Sequence, residues 1–347
     1  MISVLLQASS IKQNHSLILR EGHRNMALRG TSVRRREDPP LLRGEGTFVG
    51  DIEFDNPAYV HYLTSTIAHA KLLSIETSTA LSMPGVIDVI TNADLDIGPY
   101  PSANPLFDEA MVRPLLADDR VRFVGEPVVA IVAESPSIAT DAAELIEIDY
   151  QSLDVVVDAE TALDSPVLLF DDTAEGNVVC RMEAEGLEVD FGSCEVVTEV
   201  RTVNNRLAPA PIETRVAAAE WRDDGRLHCF NAGQGPHPVR AVIASILGIE
   251  REEVRVVSRD VGGSFGAKAR PSPEEAILGW ISKRVERPVV WVPSRSDDMV
   301  GLGHGRGQIQ YCRIGGTAAG DITAYHLHVV QEAGAYPAGG AGLPANA

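Results

Sequence analysis

The chain is 347 residues long, 44% hydrophobic and 5% aromatic, with a formal net charge of −19, which leaves room for two or three soluble domains. So acidic a composition argues against nucleic-acid binding, because phosphate contacts require a concentrated basic surface. No apolar run approaches the roughly 20 residues of a membrane span, and residues 1–25 lack the pattern of a secretory signal; a cytoplasmic protein is expected.

Residues 1–36 run against the overall balance, with seven Lys/Arg and one Glu, and Arg34 to Arg36 read as a solvated basic arm. The four cysteines, Cys180, Cys194, Cys229 and Cys312, are too widely spaced for an iron–sulfur or structural zinc site. Pro39, Pro40, Gly44 and Gly46 preclude a long helix and predict an extended arm. Tyr59 to Thr66, rich in β-branched and aromatic residues, predicts a strand. Asn92 to Ala117, polar and without periodicity, predicts a surface excursion. Val121 to Val132 predicts one strand interrupted by Gly125. A helix follows from Ser135, with Pro136 at its first position and Ile138, Ala142 and Leu145 on one face. Ile146 to Tyr150 returns to strand, which closes a domain over residues 44–158. Within it, His69 reads as structural, and Glu126 as a residue at the boundary with a second domain.

An acidic, aperiodic linker spans residues 159–188, and residues 189–347 form the next unit. Cys194 to Val203 predicts a strand. Glu213 and Arg215 then fall in an irregular connection, where their spacing implies a local ion pair. Arg222-Asp-Asp-Gly225 marks a hairpin whose second strand delivers the chain to Gln234. A helix begins after Pro236, with Val239, Val242, Ile243, Ile246 and Leu247 on one face and Gly248 at its end. The β-branched run Val254 to Val257 leads into Asp260-Val-Gly-Gly-Ser-Phe-Gly-Ala-Lys268, and a second helix starts at Ser272, an N-cap candidate followed by Pro273. Gln234 and the glycine loop thus hold equivalent positions in two successive strand–turn–helix units, the place where α/β sheets bind ligands. Gln308 to Ile314 and Ile322 to Val330 predict a closing hairpin. His326 and His328 share a face of its second strand without a third metal ligand.

Gly262, Gly263 and Gly266 let backbone approach a bound group closely, and a loop feeding a helix offers unpaired N–H groups to an anion. The loop is neither of the two common nucleotide motifs. Lys268 lies between Ala267 and Ala269 rather than before Ser or Thr, and Ser264 takes the middle position of a Gly-x-Gly-x-x-Gly pattern. On spacing alone it is equally a tight turn between strand and helix.

Taken in order, Ala68-His-Ala-Lys71, Pro84-Gly-Val-Ile-Asp-Val-Ile90, Asn231-Ala-Gly-Gln-Gly-Pro-His-Pro238, the loop 260–268, Val289 to Met299 and His304-Gly-Arg-Gly-Gln308 resemble the molybdenum-cofactor-binding large subunit of the xanthine dehydrogenase and aldehyde oxidase family. The likeness is to its aerobic carbon monoxide dehydrogenase-like branch, and runs from about Arg29 onward. It implies an α+β fold: an N-terminal arm at residues 1–43, an α/β-hammerhead domain at 44–158, the linker, and the first part of a molybdopterin-binding domain at 189–347. Family-like sequence starts just past Met26, which predicts that translation begins there.

The resemblance implies that the Gln234 amide faces an oxo ligand of molybdenum and that the N–H groups of Phe265 and Gly266 approach another oxygen and the pterin. Gly262, Gly263 and Ser264 complete the expected cofactor site. It implies oxidation of a small molecule such as an aldehyde or carbon monoxide, with oxygen from water. The molybdenum cofactor, with its cytosine dinucleotide as one possible form, would be served by an iron–sulfur small subunit and an FAD-binding medium subunit. Ala269 stands where purine-oxidising members carry a glutamate, which disfavours purines. Ser264 replaces a glycine common in the loop. Family members continue well past the equivalent of Gly334-Ala-Tyr-Pro337, through the region that holds the general base. Three readings follow: a subunit completed by a separate chain, an inactive truncated copy, or a module that binds a phosphate-bearing ligand.

Overall fold

The computed structural model describes residues 30, 32–171, 173, 176–183, 188–338 and 340–342; the expected start at Met26 lies outside them. After a short helix, α1 (Asp38–Leu42), come β1 (Ala58–Thr64), β2 (Ala70–Glu76), α2 (Ser78–Leu81), β3 (Val86–Ile90), β4 (Arg120–Val121), β5 (Pro127–Ala133), α3 (Pro136–Ala143) and β6 (Glu147–Ser152). Beyond the aperiodic stretch follow β7 (Val196–Asn204), β8 (Ala217–Trp221), β9 (Leu227–Asn231), α4 (Pro236–Leu247) and β10 (Val254–Val257). The remainder is α5 (Pro273–Ala276), α6 (Leu278–Val285), β11 (Val289–Trp291), α7 (Arg295–Gly301), β12 (Gln308–Gly316) and β13 (Ile322–Gln331). The arrangement is α+β, as expected.

A seven-stranded sheet of order β10-β9-β8-β11-β1-β5-β3 carries the fold, flanked by two three-stranded sheets, β4-β2-β6 and β13-β12-β7. The large sheet crosses the expected division at residue 158, because β1 pairs in parallel with β11. Against it lie the apolar faces of α4 and α6. Leu227, Ile243, Ile246, Ile277, Leu278 and Ile281 are fully buried there, each worth about 1.5–3 kcal/mol relative to exposure.

Five expectations change. The arm expected to be extended holds a short helix, α1, because Pro39 and Pro40 fall in its first turn, where proline fits. The strand foreseen over Val121 to Val132 is two strands in different sheets, because the chain turns at Gly125, whose φ is +99°. The surface excursion of residues 92–117 instead buries Phe107, Met111, Leu115 and Leu116, so its polarity masked widely spaced anchors. Leu145 lies beyond the end of α3 and is exposed. The single helix expected from Ser272 is broken into α5 and α6 at Ile277. There the Tyr62 hydroxyl donates to the Glu274 carbonyl at 2.7 Å, competing for the acceptor that a continuous helix gives to residue 278.

Candidate functional site

β9 and β10 run parallel, with Val254 to Val257 opposite Leu227 to Phe230, and each feeds a loop that precedes a helix. Gln234 leaves the first strand and the glycine loop leaves the second, so they emerge side by side at the same sheet edge. They touch directly: Gln234 Oε1 accepts from Ser264 Oγ at 2.6 Å and from the Gly266 N–H at 2.9 Å. The Gln234 N–H donates to the Lys268 carbonyl at 3.0 Å. Sequence reasoning placed the Gly266 N–H toward a guest, but here it serves Gln234. Among the described residues no acceptor takes the Phe265 N–H.

The loop's shape follows from its composition. Gly263 and Gly266 have φ of +101° and +90°, and Phe265 between them has +53° and is 77% exposed. This conformation is inexpensive for glycine and costly for phenylalanine. At Gly262 the reason is proximity, since an added Cβ would sit 2.4 Å from Glu213 Cβ.

Beneath the loop, Glu213 Oε2 accepts from the Gly262 N–H at 2.7 Å and lies 3.4 Å from Lys268 Nζ. Lys268 is almost wholly buried, and burial lowers its pKa despite the nearby carboxylate. Deeper still, Asn231 Nδ2 donates to Glu275 Oε1 at 2.7 Å, and burial pushes the Glu275 carboxyl up to about 7.

The local ion pair expected between Glu213 and Arg215 does not form. Arg215, buried, instead bonds Asp298 Oδ1 at 2.9 Å and Glu274 Oε1 at 3.2 Å, and stacks over Trp291. Arg113 also reaches Glu274, at 3.5 Å. Burial alone would raise the Glu274 pKa, but Arg113 and Arg215 outweigh it and hold the carboxylate below its ordinary range. Neither network was legible from spacing, because the partners lie 44 to 161 residues apart.

Two histidine expectations concern other places. His69 is buried with Nδ1 at 2.8 Å from the Asp154 carbonyl, a structural position. His326 and His328 belong to no cluster of three or more metal-binding side chains among the described residues.

A side-chain amide is thus held against a glycine loop at the ends of two parallel strands. Residues 170–347 match the model of the molybdopterin cofactor-binding domain, and residues 43–154 match that of the aldehyde oxidase and xanthine dehydrogenase a/b hammerhead domain. The chain belongs to this family of molybdopterin-binding large subunits.

Among its relatives, the nicotine 6-hydroxylase large subunit of Paenarthrobacter nicotinovorans is 36% identical over 314 residues, covering 88% of this chain and 38% of the relative. The carbon monoxide dehydrogenase large chain of Afipia carboxidovorans is 31% identical, covering 89% and 40%. The crystal structure of quinoline 2-oxidoreductase from Pseudomonas putida 86 superposes with a TM-score of 0.80 at 34% identity, over 85% of this chain and 38% of that one. The chain therefore spans about two fifths of these relatives' length.

The residues present fit the cofactor that the family model implies. Both partners of Gln234 Oε1 are donors, which leaves the amide NH2 as the end that can donate to an oxo group. An added Cβ at Gly266 would meet nothing within 4 Å, so the loop has an open side on which a pterin can lie.

Proposed function

We propose that this chain contributes the hammerhead domain and the first part of the cofactor-binding domain to a molybdenum hydroxylase-type large subunit that oxidises a small molecule with water as the oxygen source. The observation that carries this reading is the contact of Gln234 with Ser264 and Gly266. When bound, the molybdenum cofactor supplies the redox centre that accepts two electrons. Gln234 Nε2 and the Phe265 N–H are the donors that would hold its oxygens without competing for the metal. Glu213 and Lys268 fix the loop from below.

An aldehyde, carbon monoxide or a comparably small molecule is the proposed substrate class. An iron–sulfur small subunit and an FAD-binding medium subunit are the proposed electron-transfer partners. Purification from the native host, followed by molybdenum and pterin analysis, tests the reading. About one molybdenum per chain in the complex is expected. A complex devoid of molybdenum, or a lone chain that retains only a phosphate ligand, would overturn it.

A further inference from the structure

We propose that the Ser264 hydroxyl is a positioning group that sets the Gln234 amide with its NH2 facing the cofactor side, an inference that rests on the function proposed above. Ser264 is buried, and its Oγ makes two contacts: it lies 2.6 Å from Gln234 Oε1 and accepts from the Lys268 N–H at 3.1 Å. A hydroxyl has one proton. The Lys268 N–H is a donor to Oγ, so among the described residues the one acceptor for that proton is Gln234 Oε1.

The Gly266 N–H gives the same instruction from the other side. A flipped amide would set its NH2 against that N–H, leaving a donor facing a donor, and would forfeit its bond to Gly266. With alanine or glycine at position 264, only Gly266 would enforce the orientation, and the Lys268 N–H would lose its acceptor. Ser264 therefore acts through Gln234 and does not itself touch the cofactor.

The test compares wild type with Ser264→Ala, Ser264→Gly and Ser264→Thr in the assembled complex. Loss of one such hydrogen bond predicts a fall in kcat of about five- to tenfold with KM unchanged for the alanine and glycine variants. Threonine, which keeps the hydroxyl, is expected to restore kcat and the wild-type molybdenum(V) electron paramagnetic resonance signal, which alanine and glycine would alter. Amide hydrogen exchange across residues 264–268 supplies a readout that needs no cofactor. It should quicken in the alanine and glycine variants and return to wild type with threonine.

Unchanged exchange, or unchanged kcat and resonance signal, in both Ser264→Ala and Ser264→Gly would overturn the inference. A wild-type complex without molybdenum would instead remove the proposed function, while the exchange comparison would still decide whether Ser264 holds the loop.

Discussion

Tyr336 donates its hydroxyl to Glu126 Oε1 at 2.6 Å, joining residues 210 positions apart. The other carboxyl oxygen accepts from the Arg122 N–H at 2.6 Å, and the Arg122 guanidinium lies over the Tyr336 ring. Burial raises the Glu126 pKa above its ordinary value, although both hydrogen bonds pull it back. Glu126 thus fastens a loop between β4 and β5 to the segment that follows β13.

Tyr336→Phe removes the donor but keeps the ring, leaving a buried carboxyl oxygen short of a partner. A loss of about 1–3 kcal/mol is expected, measured as a lower urea midpoint at constant m-value. An unchanged midpoint would show that the fastening contributes nothing.

Arg215→Met should be far more damaging, because it leaves Glu274 and Asp298 buried without their shared cation. Breaking a buried ion pair from one side costs about 3–5 kcal/mol. Soluble yield and thermal unfolding would both register it, and Arg215→Lys, which lacks the planar fork, should recover only part.

Glu275 predicts a pH effect of definite sign. Its carboxyl ionises at about 7 in the folded chain against an ordinary value of 4.5, so the folded state holds the proton more tightly. The stability it contributes is complete below the unfolded value and is lost as pH rises through about 7, an effect on the order of 3 kcal/mol. Urea denaturation at pH 5 and pH 8 should show this decline in wild type and a smaller one in Glu275→Gln. Equal declines would exclude Glu275 as the source.

Gln234→Ala in the assembled complex is expected to lower turnover by about 10²–10³, the usual consequence of losing a preorganised oxyanion donor. The fold should survive, since Gln234 is exposed. Full activity in this variant would take Gln234 out of the site.

Much of the site was legible because it depends on local rules. The hairpin at Asp223 to Gly225, the cap at Ser272 and the helix after Pro236 are each written within a few residues, and two parallel strand ends brought Gln234 and the loop together as expected. What escaped depends on distance in sequence. The Ser264 hydroxyl reads in the sequence only as a replacement for a common glycine, because its partner Gln234 lies 30 residues away. Glu213 sat two residues from Arg215 and yet pairs with Lys268, because burial selects partners by direction rather than by separation along the chain. Tyr62 breaking a helix 212 residues downstream has no local signature at all.

The parallel ladder between β1 and β11, with Ala58 opposite Val289 and the Ala58 N–H on the Pro288 carbonyl at 2.8 Å, bears on how such subunits can be cut or recombined. A protease that nicks the acidic stretch between β6 and β7 would leave two fragments stitched by main-chain bonds, so they would co-elute until denatured. A chimera that grafts one relative's hammerhead onto another's cofactor region must carry both rims of that seam, or it will expose raw strand edges to aggregation.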